Sequence, residues 1–141
     1  LPSGEFSGEK IMDYVHLVIV LALIQYFFFI AMVGKARGKY SIDAPATVGD
    51  ENFERYFRVQ QNTLEQLIIF IPSIYLFAHY IHALSAAAIG IFFVIGRTLY
   101  YKQYINEPAS RASGTLIGFM SFLILMLGAL VGIILAIVKS L

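Results

Sequence analysis

From residue 115 to 138 the chain carries no charged side chain. Such a run exceeds the roughly 20 residues that a helix needs to cross the hydrocarbon core of a bilayer. Residues 14–33 and 85–104 make two further apolar runs, and a fourth begins at Leu67 and continues to about residue 82. Lipid offers backbone groups no partners, so segments of this kind close their hydrogen bonds internally as helices. The expected fold is therefore all-α: a four-transmembrane-helix up-and-down bundle, with helices at about residues 12–38, 53–82, 85–105 and 108–139. Composition agrees, with 59% hydrophobic and only 13% charged residues and a mean hydropathy of +0.76. A soluble domain has about a quarter of its residues charged. Residues 1–10 are polar and glycine-rich and read as a disordered leader or an expression remnant, since Met12 could be the native start; residues 11–141 form a single domain.

The second helix organises the rest. Its segment FERYFRVQQNTLEQLIIFIPSIY is dense in charge and amide before Leu67 and apolar after it, with no helix breaker at the join. At about 100° per residue, Arg55, Arg58, Asn62 and Glu65 fall on one face, while Gln60 points nearly the opposite way. Both sides of this helix thus meet polar material. A solvated helix end accounts for Glu54 and Arg55. It accounts poorly for Asn62 and Glu65, which lie within a turn and a half of the apolar run. Ionisable groups at membrane depth are expensive and by default mark a functional site.

Smaller signals fill in the bundle. Gln25 sits mid-span in the first helix and is expected to hydrogen-bond a neighbouring helix. His79 and His82 read as a turn at the membrane surface, without the further ligands a metal site requires. Arg97 shares a broad face with Tyr100, Tyr101 and Tyr104, the pattern of an aromatic belt with a snorkelling arginine. Pro108 suits the first turn of the last helix, with Asn106 or Glu107 as cap. Arg111 then falls in that first turn, where the helix dipole disfavours a cation. Gly118, Gly128 and Gly132 offer close packing in the last helix. There is no cysteine, hence no thiolate ligand or nucleophile. No basic patch with interleaved aromatics points to nucleic acid.

Lysine and arginine orient the bundle. Lys35, Arg37, Lys39, Arg55, Arg58, Arg97, Lys102 and Arg111 gather at the end that holds the first and third loops; only Lys10 and Lys139 lie at the other. The positive-inside rule puts these loops in the cytoplasm and both termini on the opposite side. It also brings three polar clusters to one membrane surface.

These clusters resemble the signatures of a known family, the membrane-associated proteins in eicosanoid and glutathione metabolism (MAPEG). The stretch VGKARGKYSIDAPATVGDENFERYFRVQQNTLE resembles its signature loop and second helix, and GRTLYYKQY its third-helix signature. The resemblance covers most of the chain from Val33 to Arg111, and the pattern ERxxRxQxNxxE is specific. It is nearest to the microsomal glutathione transferase and leukotriene-C synthase branch. It implies a homotrimer with glutathione as co-substrate, bound between protomers near the cytoplasmic face, and no metal. The implied glutathione contacts are Arg37, Arg58, Gln60, Asn62, Glu65, Tyr100 and Tyr104, with Arg111 as the catalytic arginine that activates the thiol. That branch often has an aromatic residue right after the glutamate, where this chain has Gln66.

The residue inventory suits such a ligand. Glutathione carries two carboxylates, an ammonium and a thiol. Arginine forks take carboxylates bidentately, and a glutamate can pair with the ammonium. A cation near the thiol favours the thiolate, the reactive form. The implied reaction is conjugation to a hydrophobic electrophile arriving from the bilayer, or reduction of a lipid hydroperoxide. The competing reading is a non-catalytic lipid-binding or scaffold protein of the same fold. Transport is disfavoured, because the polar residues gather at one surface with no charged path across.

Overall fold

The computed structural model describes residues 8–141. It is all-α: α1 (Gly8–Tyr40), α2 (Glu51–Tyr80), α3 (Ala83–Asn106), a 3₁₀ turn (Pro108–Ser110) and α4 (Ala112–Ser140). Helices α2 and α3 form the middle of the bundle and touch each other; α1 and α4 each pack against both. Residues 1–7 of the expected leader lie outside the described part, and residues 8–10 already belong to α1.

Among the described residues, α1, α3 and α4 are each long and apolar enough to cross a membrane. The second helix differs because its first half is polar and only the part after Gln66 is apolar. It runs through Pro72 without interruption to Tyr80.

The core is assembled from one stripe of each helix. Val15, Val18 and Ala22 of α1 meet Phe70, Ile74 and Phe77 of α2, Ala86 and Phe93 of α3, and Phe122, Leu125 and Ala129 of α4. Phe70 and Phe93 stack with ring centroids 4.0 Å apart. The other faces remain apolar and exposed, as at Phe27, Ile68 and Leu116, which is how a protein solvated by lipid differs from one solvated by water. Gln25 donates to the Val94 carbonyl (2.9 Å) and to Thr98 Oγ1 (2.8 Å), tying α1 to α3 across the apolar layer.

Helix ends are set by side-chain caps. Asp50 accepts from the backbone N–H groups of Asn52 (2.8 Å) and Phe53 (3.0 Å), so α2 starts at Glu51, slightly earlier than its periodicity suggests. His82 does the same for α3 by accepting from Ser85 N–H at 3.2 Å. Helix α1 extends to Tyr40 and ends with Ser41 in the left-handed region (φ 56), where Ile42 N–H bonds back to the Arg37 carbonyl at 3.1 Å. Pro108 does not open the last helix. It opens the separate 3₁₀ turn, and α4 begins after Arg111. Arg111 has no acceptor to offer the helix, so Gln103 of α3 supplies one: its Oε1 accepts from Gly114 N–H at 3.1 Å.

Glycines decide how closely α3 and α4 approach. A Cβ at Gly96 would sit 2.5 Å from Gly118 N, and one at Gly114 would overlap the backbone of Tyr100. The Gly128–Gly132 pair serves a different contact, since Gly128 lies against Phe77 and Gly132 against Tyr80 and Ile81 at the far end of α2. Because backbone cannot yield as a side chain can, Gly114→Ala should destabilise the bundle by about 1–3 kcal/mol, the usual cost of overpacking. Thermal unfolding in detergent should show a lowered midpoint. Gly34→Ala, at a position with nothing within 4 Å, should leave it unchanged or slightly raised.

Candidate functional site

The polar half of α2 divides into two faces. On one, Arg58 Nη1 lies 3.9 Å from Glu65 Oε1, with both side chains about half exposed (49% and 53%). An exposed pair at this distance contributes little to stability, so neither group is committed to holding the fold. On the other face Gln60 donates to Tyr26 Oη of α1 at 2.7 Å. Phe53 lies two turns earlier on that same side, beneath the Arg37 guanidinium at 4.9 Å from its ring centroid. Arg37 also donates to the Ala46 carbonyl (2.7 Å) and, less closely, to that of Ile42 (3.4 Å), so it organises the first loop. The protomer therefore gathers Arg58 and Glu65 on one flank and leaves Arg37 and Gln60 on the α1 side.

The end of α3 faces the Arg58 flank. Tyr100 is buried and stacks on Tyr104, with centroids 5.4 Å apart. Arg111 extends over the Tyr104 ring, its guanidinium carbon 5.9 Å from the centroid. The same guanidinium donates to the Pro108 carbonyl at 2.8 Å. Arg111 is otherwise exposed. Arg55 does not behave as part of a solvated helix end. It donates to the carbonyls of Ile105 (3.0 Å) and Asn106 (3.1 Å), capping the C-terminus of α3 just where the site turns into the third loop.

Two clefts meet at this place. The first, about 420 Å³, is lined by Glu54, Arg55, Arg58, Tyr104 and Pro108 together with Val48 of the first loop. The second, about 560 Å³, runs along α4 past Arg111, Thr115, Leu116 and Phe119 and is mainly apolar. The 3₁₀ turn borders both, through Pro108 in the first and Ala109 in the second. A cleft edged by charged side chains thus adjoins one with a single charged residue, with Tyr104 in the first and Arg111 in the second.

Arg97 is the residue that sequence reading placed wrongly. It does not snorkel; it is fully buried. Its Nη2 donates to Thr63 Oγ1 (2.7 Å), its Nη1 to Gln66 Oε1 (3.2 Å), and its guanidinium lies 4.2 Å from the Tyr100 ring centroid. Gln66 in turn donates to Asn62 Oδ1 at 3.4 Å. Asn62 and Tyr100 are therefore joined through Gln66 and Arg97. The missed signal was the pairing of a polar residue at position 66, at the edge of an apolar run, with an arginine three residues before Tyr100 on the neighbouring helix.

Comparison with known proteins adds an independent line. The MAPEG family model matches residues 15–131. The chain is 43% identical over 118 residues to a protein of Synechocystis sp. described as uncharacterized (sll1147), covering 84% of this chain and 86% of that one. It is 37% identical over 115 residues to human microsomal glutathione S-transferase 2 (80% and 78% covered). It is 29% identical over 94 residues to rat leukotriene C4 synthase (67% and 63% covered).

The buried cation makes a test of the network. Gln66→Leu removes the acceptor of Arg97 Nη1 and leaves part of a buried charge unbonded, which costs about 1–3 kcal/mol or more. The thermal midpoint in detergent should fall accordingly, while Gln66→Glu, which keeps an acceptor, should hold it close to the parent value. Equal midpoints for Gln66→Leu and the parent would show that the bond carries no weight.

Proposed function

This chain belongs to the MAPEG family, and we propose that it is a membrane-bound glutathione transferase that conjugates glutathione to hydrophobic electrophiles. The observation that carries this reading is the junction of the two clefts. Arg58 and the half-exposed Glu65 offer opposite charges on the polar side, Arg111 stands over Tyr104 at the boundary, and an apolar groove continues along α4. The reading is supported by relatives named as a glutathione S-transferase and a leukotriene C4 synthase.

Arg58 takes a glutathione carboxylate, bidentately where the fork allows, and Glu65 takes the ammonium. Asn62 can donate and accept, and Tyr104, backed by the buried Tyr100, walls the cleft. The thiol then lies toward Arg111. Arginine cannot serve as a base because it stays charged and only donates. It favours ionisation electrostatically, and the thiol proton leaves to water. The thiolate attacks the electrophile in the apolar groove: a C–S bond forms, and a leaving group departs or an epoxide opens. The same thiolate could reduce a lipid hydroperoxide, a second glutathione then completing a disulfide. A non-catalytic lipid-binding role would leave Arg111 beside Tyr104 without a task.

Arg37 and Gln60 enter this reading through a second protomer. They lie on the α1 side of α2, about a helix diameter from Glu65, and one ligand does not touch both sides of a helix about 10 Å thick. In a closed ring, the simplest being the homotrimer, each site combines Glu65 of one copy with Gln60 of its neighbour. The site faces the cytoplasm by the charge bias of the loops.

Arg111→Ala should raise the pKa of the bound thiol, because the cation that favours the thiolate is gone. Turnover at neutral pH falls, its pH profile shifts upward, and glutathione affinity changes less. Thiolate absorbance titrated against pH reads the shift directly; an unmoved midpoint would sink the thiolate role. A screen of glutathione with a chlorinated aromatic, an epoxide and a lipid hydroperoxide tests the activity itself.

The shared site has its own test. Gln60→Leu and Glu65→Ala should each inactivate a homogeneous assembly. Differently tagged, co-purified mixed trimers contain an interface with both parental residues and should recover part of the activity. Mixed trimers as inactive as their parents would refute the division of the site between protomers.

A further inference from the structure

A third cleft, about 210 Å³, opens on the α1 side at the same end of the bundle and is lined by none of the residues assigned above to glutathione. Its walls are Lys35, Lys39 and Tyr40 of α1, Tyr56 of α2 and Tyr101 of α3, with Met32 at its lower edge. Tyr56 and Tyr101 meet edge to face at 6.3 Å, and Tyr101 stacks on Phe29 at 5.1 Å, so two of the phenols are held in place by packing. Among the described residues no carboxylate lines the cleft. Among the described residues neither lysine forms an ion pair, and none of the three tyrosine hydroxyls makes a hydrogen bond.

The arrangement is amphiphilic along α1. Phe28, Met32, Lys35 and Lys39 follow one another at helical spacing on a single stripe. Phe28 is 45% exposed and packs edge to face with Tyr101, ring centroids 5.7 Å apart. Apolar surface therefore leads straight into a pair of cations among tyrosines, with Lys39 Nζ 5.3 Å from the Tyr40 ring centroid. Two ammonium groups and three phenols are all donors, and they suit the two charged oxygens of a phosphodiester. The continuous apolar stripe below them favours a phosphoryl group that carries an acyl chain. Two cations with no acidic neighbour would also repel the positive group of a zwitterionic headgroup.

We propose that this cleft binds the phosphodiester headgroup of an anionic phospholipid, with an acyl chain lying over Met32 and Phe28. The site is separate from the glutathione cleft and stands or falls without it. Lysines at an anionic membrane surface strengthen binding by roughly fivefold each. Native mass spectrometry of the detergent-purified protein reads the occupancy. Phosphatidylglycerol should be retained in preference to phosphatidylcholine, and Lys35→Gln/Lys39→Gln should reduce that preference by roughly 25-fold. Lys35→Arg/Lys39→Arg, which keeps the charge, should preserve it, as should Lys139→Gln at the other end of α4. Equal retention of the two lipids, or an undiminished preference in the double glutamine variant, would overturn the site. Displacement of phosphatidylglycerol by an equal concentration of inorganic phosphate would overturn the lipid assignment.

Discussion

A single buried guanidinium sets the geometry of this bundle. Arg97 is enclosed between α2 and α3, in a setting where nearly every other contact is apolar and non-directional. Dispersion between apolar helices permits small slides and rotations; a buried charge does not, because its acceptors lie at fixed points. Thr63 and Gln66 supply those points on α2. The ring of Tyr100 covers the guanidinium and in turn supports Tyr104. The register of the two central helices and the position of the aromatic wall are thus one constraint. Arg111, over the outer face of Tyr104, is placed at the end of that chain of contacts.

The fold was legible because its controlling signals are local or periodic. Apolar runs gave the helices, and opposite wheel positions for Gln60 and Glu65 gave the two faces of α2, which the hydrogen bond to Tyr26 on one side and the ion pair to Arg58 on the other bear out. Helix ends were less legible, because several caps come from residues outside the periodic pattern. Asp50 lies in the loop, and Gln103 belongs to a different helix from the one it caps. The role of Arg97 was hidden for a related reason. A sequence shows that an arginine stands near a membrane surface among tyrosines. It does not show whether the facing helix offers acceptors, and here the facing helix offers two.

The end of the bundle that carries the clefts is held by cross-element bonds. Arg55 of α2 closes the carbonyls at the end of α3, Gln103 of α3 closes the Gly114 N–H at the start of α4, and Ser110 Oγ donates to the Glu107 carbonyl at 2.7 Å inside the short turn. The first two satisfy helix-terminal groups that have no partner within their own helix, and the third adds to the bond that the Glu107 carbonyl already accepts from Ser110 N–H at 2.9 Å. Together they fix the third loop, so Tyr104 and Arg111 are displayed from a tied corner.

This bookkeeping of donors separates the arginines by what they have left to give. Arginine has five N–H donors in a planar fork, and bidentate recognition uses one edge of it. Arg55 employs both terminal nitrogens on Ile105, Asn106 and Glu51, and its Nε is buried without a partner. Arg97 is likewise consumed within the fold. Arg37 uses only Nη1, on the Ile42 and Ala46 carbonyls. Its Nη2 and Nε edge stays available, so it can build the first loop and still grip a carboxylate without giving up either bond. Arg58 holds a single long contact to Glu65 and keeps nearly its whole fork. The sequence pattern presents Arg55 and Arg58 as neighbours on one helix face. Their donor inventories make the first a structural clamp and leave the second with the spare donors that the proposed glutathione contact requires.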